Sequence, residues 1–298
     1  MHISIKIYKF APKKDLLTMI YTQQKALHSL AESLKNQGKT IGLVPTMGAL
    51  HDGHLSLVKK AIDENNFAVV SIFVNPTQFN NPNDLQKYPR TLDADVKKLT
   101  DFHKDIIIFA PPVSDIYGEE VVAQSFNFEG LDKVMEGSSR PGHFDGVGTI
   151  VKKLFEIVMP NRAYFGEKDY QQLLIIKQMV KQTGLPVTIV PCPIVRNSEG
   201  LALSSRNALL SEAMTKRASF IYRTLLSAKE RFATHTPAEV EAWVVDTFAK
   251  EPDFSLEYFT ITDADTLQHI STKETGKNYR AFIVVHAEGV RLIDNISM

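Results

Sequence analysis

The sequence predicts an α/β protein: a doubly wound parallel sheet followed by a smaller α+β domain. Three observations carry this expectation. Apolar β-rich runs alternate with helical periodicities as far as about residue 191, the pattern of repeated βαβ units. Phe67-Ala-Val-Val-Ser-Ile-Phe-Val74 is apolar at nearly every position, as befits a strand buried on both faces of a parallel sheet. After Pro191-Cys-Pro193 the alternation stops, and helices and strands no longer take turns. The domains expected are therefore 19–192 and 193–298. Residues 1–18 are read as an extension outside the working fold, because Met19 opens the first good helical pattern.

In chain order, residues 22–37 read as a helix closed by Gly38, a residue suited to the left-handed cap position. Ile41-Gly-Leu-Val44 is a strand that breaks at Pro45 and Gly48, and Leu55, Val58 and Ile62 then recur at helical spacing. The strand from Phe67 ends in the loop Asn75-Pro-Thr-Gln-Phe79, and the stretch from Asn80 to Arg90 reads as loop from its Asn and Pro content. A helix over about 92–103 shows Val96, Leu99 and Phe102 on one side, and a short strand, 105–109, stops at Pro111-Pro112. The segment 119–135 has no clear pattern. Ser139-Arg-Pro-Gly-His-Phe144 is a turn before a helix through Ile150, Leu154 and Val158. Arg162-Ala-Tyr-Phe-Gly166 is a strand ending at Glu167-Lys-Asp169, and the helix 170–182 follows. In the second domain a polar turn, 195–200, and the stretch 201–207 lead into a long helix. A helix over 237–250 and strands over 256–262 and 279–287 complete it.

The 34 basic and 34 acidic side chains cancel, so bulk charge gives no reason to expect nucleic acid or a membrane surface as partner. No apolar run approaches the ~20 residues that span a bilayer, and the first 18 residues lack the apolar block of a signal peptide. The single cysteine, Cys192, forms no intrachain disulfide, which fits a reducing cytoplasm.

The chemistry centres on Val44-Pro-Thr-Met-Gly-Ala-Leu-His-Asp-Gly-His-Leu-Ser-Leu57. A strand, a Gly-containing turn and a helix start present backbone N–H groups and a positive dipole end to a phosphate. His51 and His54, three apart, point the same way, and an imidazole donor suits a phosphate oxygen whose charge grows during displacement. A Walker loop is excluded, for it needs Gly-Lys-Ser/Thr. Two histidines at a helix start can also cap the helix, sit in the core or form half of a zinc site; zinc is disfavoured by the lone cysteine. Lys168 ends a strand just before a helix, where an ammonium can neutralise phosphate, or be solvated in its Glu-Lys-Asp turn. Ser204-Ser-Arg-Asn207 offers two hydroxyls and a guanidinium to a triphosphate, or a helix cap. Asn75 and Gln78 supply uncharged amides for orienting an alcohol or carboxylate, or simply turn chemistry.

His-x-Gly-His between a buried strand and a helix resembles the signature of the nucleotidyl-transferase superfamily, which includes class I aminoacyl-tRNA synthetases. The ordered blocks PTMGALHDGH, FVNPTQF, RPGHFDGV, FGEKDYQQ and VRNSEGLALSSRN, with Arg291-Leu-Ile-Asp-Asn295, resemble the pantoate–β-alanine ligase (pantothenate synthetase) family from Met19 to the end. The resemblance implies a Rossmann-like N-terminal domain, a smaller C-terminal α+β lid domain and a cytoplasmic homodimer. It implies that pantoate attacks the α-phosphate of Mg-ATP to give pantoyl adenylate, which the β-alanine amine then opens to pantothenate and AMP; Mg2+ enters with ATP.

Residue by residue, it implies ATP contacts from Met47, Gly48, Ala49, Leu50, His51, Asp52, Gly53 and His54, with His54 as proton donor and His51 assisting. Gly166, Glu167, Lys168, Asp169 and Val195 would hold ATP, Lys168 acting on the phosphates. Leu203, Ser204, Ser205 and Arg206 would close over the triphosphate, as the KMSKS loop does in class I synthetases. Gln78 would bind pantoate and β-alanine, and Gln172 pantoate. Leu203 departs from the family's usual Met, a swap of similar volume that a backbone contact tolerates. No metal ligands, and no role for Arg140 or His143, follow. Three rivals are weaker. An adenylyltransferase acting on a phosphorylated acceptor needs a basic pocket where the Asn75–Gln78 loop is neutral. A non-catalytic nucleotide-binding regulator has no need of both histidines, Lys168 and the Ser-Ser-Arg loop. A tRNA synthetase fragment wants a basic domain that the balanced charge does not supply.

Overall fold

The computed structural model describes residues 20–298; the expectation for the N-terminal extension lies outside the described residues. The chain divides into two compact units, one running to Gly166 and resuming at Gln172–Cys192, the other made of Glu167–Gln171 and Pro193–Met298.

The first unit is built on a six-stranded parallel sheet. Its strands are β1 (Ile20–Tyr21), β2 (Ile41–Thr46), β3 (Phe67–Ile72), β4 (Ile107–Phe109), β5 (Arg162–Gly166) and β6 (Thr188–Cys192), in the order β1-β4-β3-β2-β5-β6. The chain moves outward from β2 to β3 and β4, then crosses back to lay β5 on the other side of β2. That reversal is a topological switch point, and ligands of open α/β sheets collect beyond the carboxyl ends of the strands there. The β2 end is where the motif loop begins. The doubly wound expectation holds.

Apolar positions explain the central strands. Leu43, Val44, Val70 and Ile108 are fully enclosed, and the helix His143–Val158 is buried along most of its length, with only Asp145, Lys152, Lys153 and Glu156 reaching the surface. Tyr164 on β5 is also enclosed. Its hydroxyl accepts from Asn65 at 2.7 Å and donates to Glu64 at 2.9 Å, and burial pushes its pKa up to about 12.

Local expectations need four corrections. Ile20 and Tyr21 form a short edge strand paired with Ile108 and Phe109 rather than opening a helix. Pro82–Lys87 is a helix inside the stretch read as loop; Asn81 caps it by accepting from the Asn83 N–H at 2.9 Å, and Pro82 occupies the first turn, where its missing N–H does no harm. The helix expected after the turn that ends at Phe144 starts within that turn, at His143. The single long helix expected after Asn207 is a 3₁₀ turn (Ser205–Leu209) and two helices, Glu212–Arg217 and Ser219–Phe232.

The second unit has a three-stranded antiparallel sheet, β7 (Ser255–Asp263), β8 (Tyr279–Ala287) and β9 (Val290–Ser297), in that order. The last strand was not anticipated. Glu288 and Gly289 join β8 to β9, both at positive φ (49° and 75°), as a two-residue hairpin turn requires. Leu225, Val240 and Val244 from the helices Ser219–Phe232 and Pro237–Phe248 form one core with Ile283 and Val285 of β8.

Across the sheet, Glu257 takes two bonds from Arg291 (2.8 and 3.0 Å) and one from His286 (2.7 Å). Those partners, the guanidinium first, hold its carboxyl down to about 2. A carboxyl depressed in the fold stabilises it above the ordinary value of 4.5 and loses that contribution as pH falls toward about 2. With the Glu257 side chain 32% exposed, solvent screening leaves about 1 kcal/mol. Glu257→Gln should therefore unfold more easily in urea at neutral pH, with the gap to the parent narrowing as pH falls to about 3. A gap independent of pH would refute this account.

Candidate active site

The loop after β2 is wound by its own backbone. Gly48 (φ 86°) and Ala49 (φ 50°) are both left-handed, which turns successive N–H groups toward one point, a concavity that binds an anion. Here the anion is part of the chain. Asp95, from the helix Leu92–Phe102, is 2% exposed; its carboxylate accepts from the Ala49 N–H at 2.9 Å and the Leu50 N–H at 2.7 Å. Thr91 Oγ1 adds a bond at 3.1 Å, and Lys98 holds the Leu50 carbonyl at 2.6 Å. The Gly48 N–H goes to Thr46 Oγ1. Two loop donors expected to face a phosphate are thus engaged by a side chain that the sequence did not single out. The available signal was Asp95 itself, four residues before Leu99 on the buried side of its helix, where a carboxylate needs partners.

The helix that follows, Asp52–Glu64, starts with a reciprocal cap made of imidazoles. His51 Nδ1 accepts from the Gly53 N–H at 3.1 Å, and His54 Nδ1 accepts from the His51 N–H at 3.3 Å. Capping and chemistry are compatible, because each cap uses one ring nitrogen. An Nδ1 that accepts leaves the proton of a neutral ring on Nε2, so both rings carry their donor on that nitrogen. Their centroids are 4.1 Å apart with planes tilted by 42°. Asp52 is exposed, and Met47, Gly53 and both histidines are half-buried.

Beyond β3, Pro76–Gln78 forms one 3₁₀ turn with a fixed amide order. Asn75 Nδ2 donates to the Gly146 carbonyl at 3.1 Å, which can only accept, so Asn75 Oδ1 faces the hydroxyls of Tyr117 (2.6 Å) and Thr77 (3.1 Å). The same Nδ2 donates to Gln78 Oε1 at 3.1 Å. Gln78 must then turn its Nε2 the other way, where it lies 3.2 Å from Met47 Sδ, a weak acceptor. Gln78 accordingly presents N–H groups, suited to a ligand oxygen. Burial raises the Tyr117 hydroxyl's pKa, which keeps it a donor.

Arg140 and His143, whose role could not be read from the motif alone, meet at one atom: the Gln78 carbonyl, 3.4 Å from the guanidinium and 2.8 Å from His143 Nδ1. A side chain at Gly146 would press on the Thr77 carbonyl at 2.3 Å, so glycine there lets the helix seat the turn. Arg140 also lines a cavity of about 280 Å³ with Phe128, Lys133 and Asp145. Gln172 lies near the start of the helix Tyr170–Thr183, half-buried and within the first unit.

Gly166, the last residue of β5, is half-buried in the first unit; Glu167, Lys168 and Asp169 form a 3₁₀ turn in the second. The Lys168 side chain is 16% exposed, its ammonium 3.8 Å from Asp169. Val195 and Leu203, eight positions apart, are joined by a bond of 2.9 Å from the Leu203 N–H to the Val195 carbonyl, across a small hairpin bridged at Arg196 and Ala202. Ser204 caps the 3₁₀ turn by accepting from the Arg206 N–H at 3.2 Å; Ser205 is half-buried and Arg206 exposed. Among the described residues, no group of three or more His, Cys, Asp or Glu is arranged to hold a metal ion, and no helix is long and apolar enough to cross a membrane.

Comparison with known proteins gives this geometry its context. The family model described as pantoate-beta-alanine ligase matches residues 19–297. The pantothenate synthetase of Christiangramia forsetii is 50% identical over 279 residues, 94% of this chain and 99% of the relative. The crystal structure of pantothenate synthetase from Thermus thermophilus superposes with a TM-score of 0.83 at 40% identity, covering 93% of this chain and 98% of that one. A pantoate-beta-alanine ligase from Francisella tularensis, solved in complex with beta-gamma ATP and beta-alanine, gives 0.71 at 38% identity, over 94% and 97%. With the motif loop, its imidazole pair and the Gln78 turn all in place, the chain belongs to the pantoate–β-alanine ligase family.

Proposed function

We infer that this ligase, which joins pantoate to β-alanine as pantothenate, works in two steps through a pantoyl adenylate. In the first, a pantoate carboxylate oxygen attacks the α-phosphorus of ATP and pyrophosphate leaves. In the second, the β-alanine amine attacks the acyl carbon, the bond to AMP breaks and the amine loses a proton. Neither step needs a covalent nucleophile on the protein; both need positioning and charge stabilisation.

The observation that carries this reading is the imidazole pair, whose backbone caps direct two Nε2 donors from one helix start. In this reading His54 donates to phosphate oxygens as charge shifts onto the leaving group, with His51 assisting. Met47 through His54 line the nucleotide, and Gly166 through Asp169, Val195, Leu203, Ser204, Ser205 and Arg206 contribute further contacts, Lys168 to the phosphates. Gln78 aims its amide N–H groups at a substrate oxygen of pantoate and β-alanine, and Gln172 binds pantoate. Mg2+ arrives as the counter-ion of ATP, held by phosphate oxygens and water, a mode that needs no dedicated protein cage. The enzyme acts as a cytoplasmic homodimer.

Label exchange between pyrophosphate and ATP tests the intermediate. Exchange should require pantoate and Mg2+ and proceed without β-alanine. A folded protein that makes pantothenate yet shows no exchange would overturn the adenylate.

A further inference from the structure

The last strand carries two buried polar residues, Asp294 and Asn295, at 5% and 2% exposure. Side chains of this kind stay buried only with their partners supplied. Asp294 takes two bonds from the Arg196 guanidinium, at 2.5 and 2.9 Å. Arg196 in turn stacks on Tyr222 at 3.6 Å and donates to the Gly200 carbonyl at 3.1 Å, so β9 is locked to the Val195–Leu203 hairpin. Asp294 Oδ1 also accepts from the Asn295 N–H at 2.8 Å.

Asn295 reaches a different segment. Its Nδ2 donates to the carbonyls of Glu167 and Lys168 at 3.0 and 2.9 Å. Its Oδ1 accepts from Arg280, which can only donate, so the amide has one orientation. Arg280 is held over the Tyr170 ring at 3.8 Å and lies 3.4 Å from the Glu167 carboxylate. A lysine ammonium rides on a flexible four-carbon stem, so the place of its Cα sets the volume it can reach, and two adjacent carbonyls bonded to one amide fix that place.

We propose that Asn295 is a positioning residue for Lys168: the final strand sets where the turn places its ammonium, and through it the binding of the ATP phosphates. This rests on the assignment of Lys168 to ATP made above. It explains a buried amide in a strand that an apolar residue would fill more cheaply.

Asn295→Asp keeps size and the Arg280 partner but sets an oxygen against both carbonyls. Steady-state constants for ATP, pantoate and β-alanine should be measured for this variant, Lys168→Ala and the double variant, with thermal midpoints. The KM for ATP should rise about tenfold in Asn295→Asp, while those for pantoate and β-alanine change less than about twofold. In the Lys168→Ala background the same change should add less than about twofold, since a residue acting through Lys168 has nothing left to position. Effects that multiply, or that fall equally on all three substrates, would reduce Asn295 to a structural role and overturn the proposal. An altered KM for ATP in Lys168→Ala with none in a folded Asn295→Asp would overturn it while leaving the Lys168 assignment intact. No change in Lys168→Ala would remove both. Should Asn295→Asp not fold, Asn295→Ala, which leaves a gap instead of a repelling oxygen, takes its place in the cycle; failure of that variant to fold as well would also overturn the proposal.

Discussion

His54→Ala should slow pantoate-dependent pyrophosphate exchange by ~10²–10³-fold, the loss expected for one transition-state donor, while changing stability by no more than ~1 kcal/mol. The small stability effect follows from the loss of one capping acceptor, at 3.3 Å from the His51 N–H, offset by alanine's better helix propensity. The donor's assignment to Nε2 sharpens the test. An asparagine places its side-chain oxygen near the position of Nδ1, so His54→Asn should keep the cap and lose the rate. A glutamine reaches to the position of Nε2 with an amide N–H, so His54→Gln should lose the cap and recover part of the rate. Exchange at the parent rate in a folded His54→Ala, or recovery by Asn rather than Gln, would remove His54 from the chemistry.

The centre of the sheet was legible because its middle strands are buried on both faces and therefore written as nearly continuous apolar runs: Phe67 through Ile72, broken only by Ser71, could be little else. Where the physics was not local, the reading failed. Ile20–Tyr21 is too short to show a period of two, and its pairing with β4 is decided by residues nearly ninety positions away. The last strand hid behind Asp294 and Asn295, whose polarity looks like a turn until Arg196 and the Glu167–Lys168 carbonyls are brought to them. At the site, the residues of contiguous motifs were nameable because motif and helix start coincide in sequence. Their supports were not. Asn75 was seen only as a neutral amide, whereas its partners Tyr117 and Gly146 lie 42 and 71 positions further on, and it is they that decide which end of Gln78 faces Met47.

Asp95 is the support whose removal should be felt most. Asp95→Asn replaces one carboxylate oxygen with an amide that faces N–H donors, and turns a charged acceptor of the Ala49 and Leu50 N–H groups into a neutral one. Bonds to charged groups are worth ~1.5–3 kcal/mol each and a buried donor left unmatched adds to the loss, so about 3 kcal/mol of stability should go. In a chain of this size that is a fall of roughly 5 °C in thermal midpoint. The loop's shape makes the loss specific. Ala49 is held at φ 50°, a conformation that disfavours any residue with a Cβ, and the Asp95 carboxylate is what keeps it there. A Cβ at Gly48 would sit 3.0 Å from the same Asp95 oxygen, which leaves the loop little room to settle elsewhere. Activity should therefore fall with stability, because Met47, His51 and His54 hang from this turn. Asp95→Ala offers the discriminating measurement, since it empties the concavity without filling it. Formate or acetate should then raise the midpoint of the variant and restore part of its exchange rate, with no effect on the parent. If the small carboxylates act equally on both proteins, or Asp95→Asn unfolds within about 0.5 kcal/mol of the parent, the loop is held by its own backbone, and its anion-binding groups are open to phosphate after all.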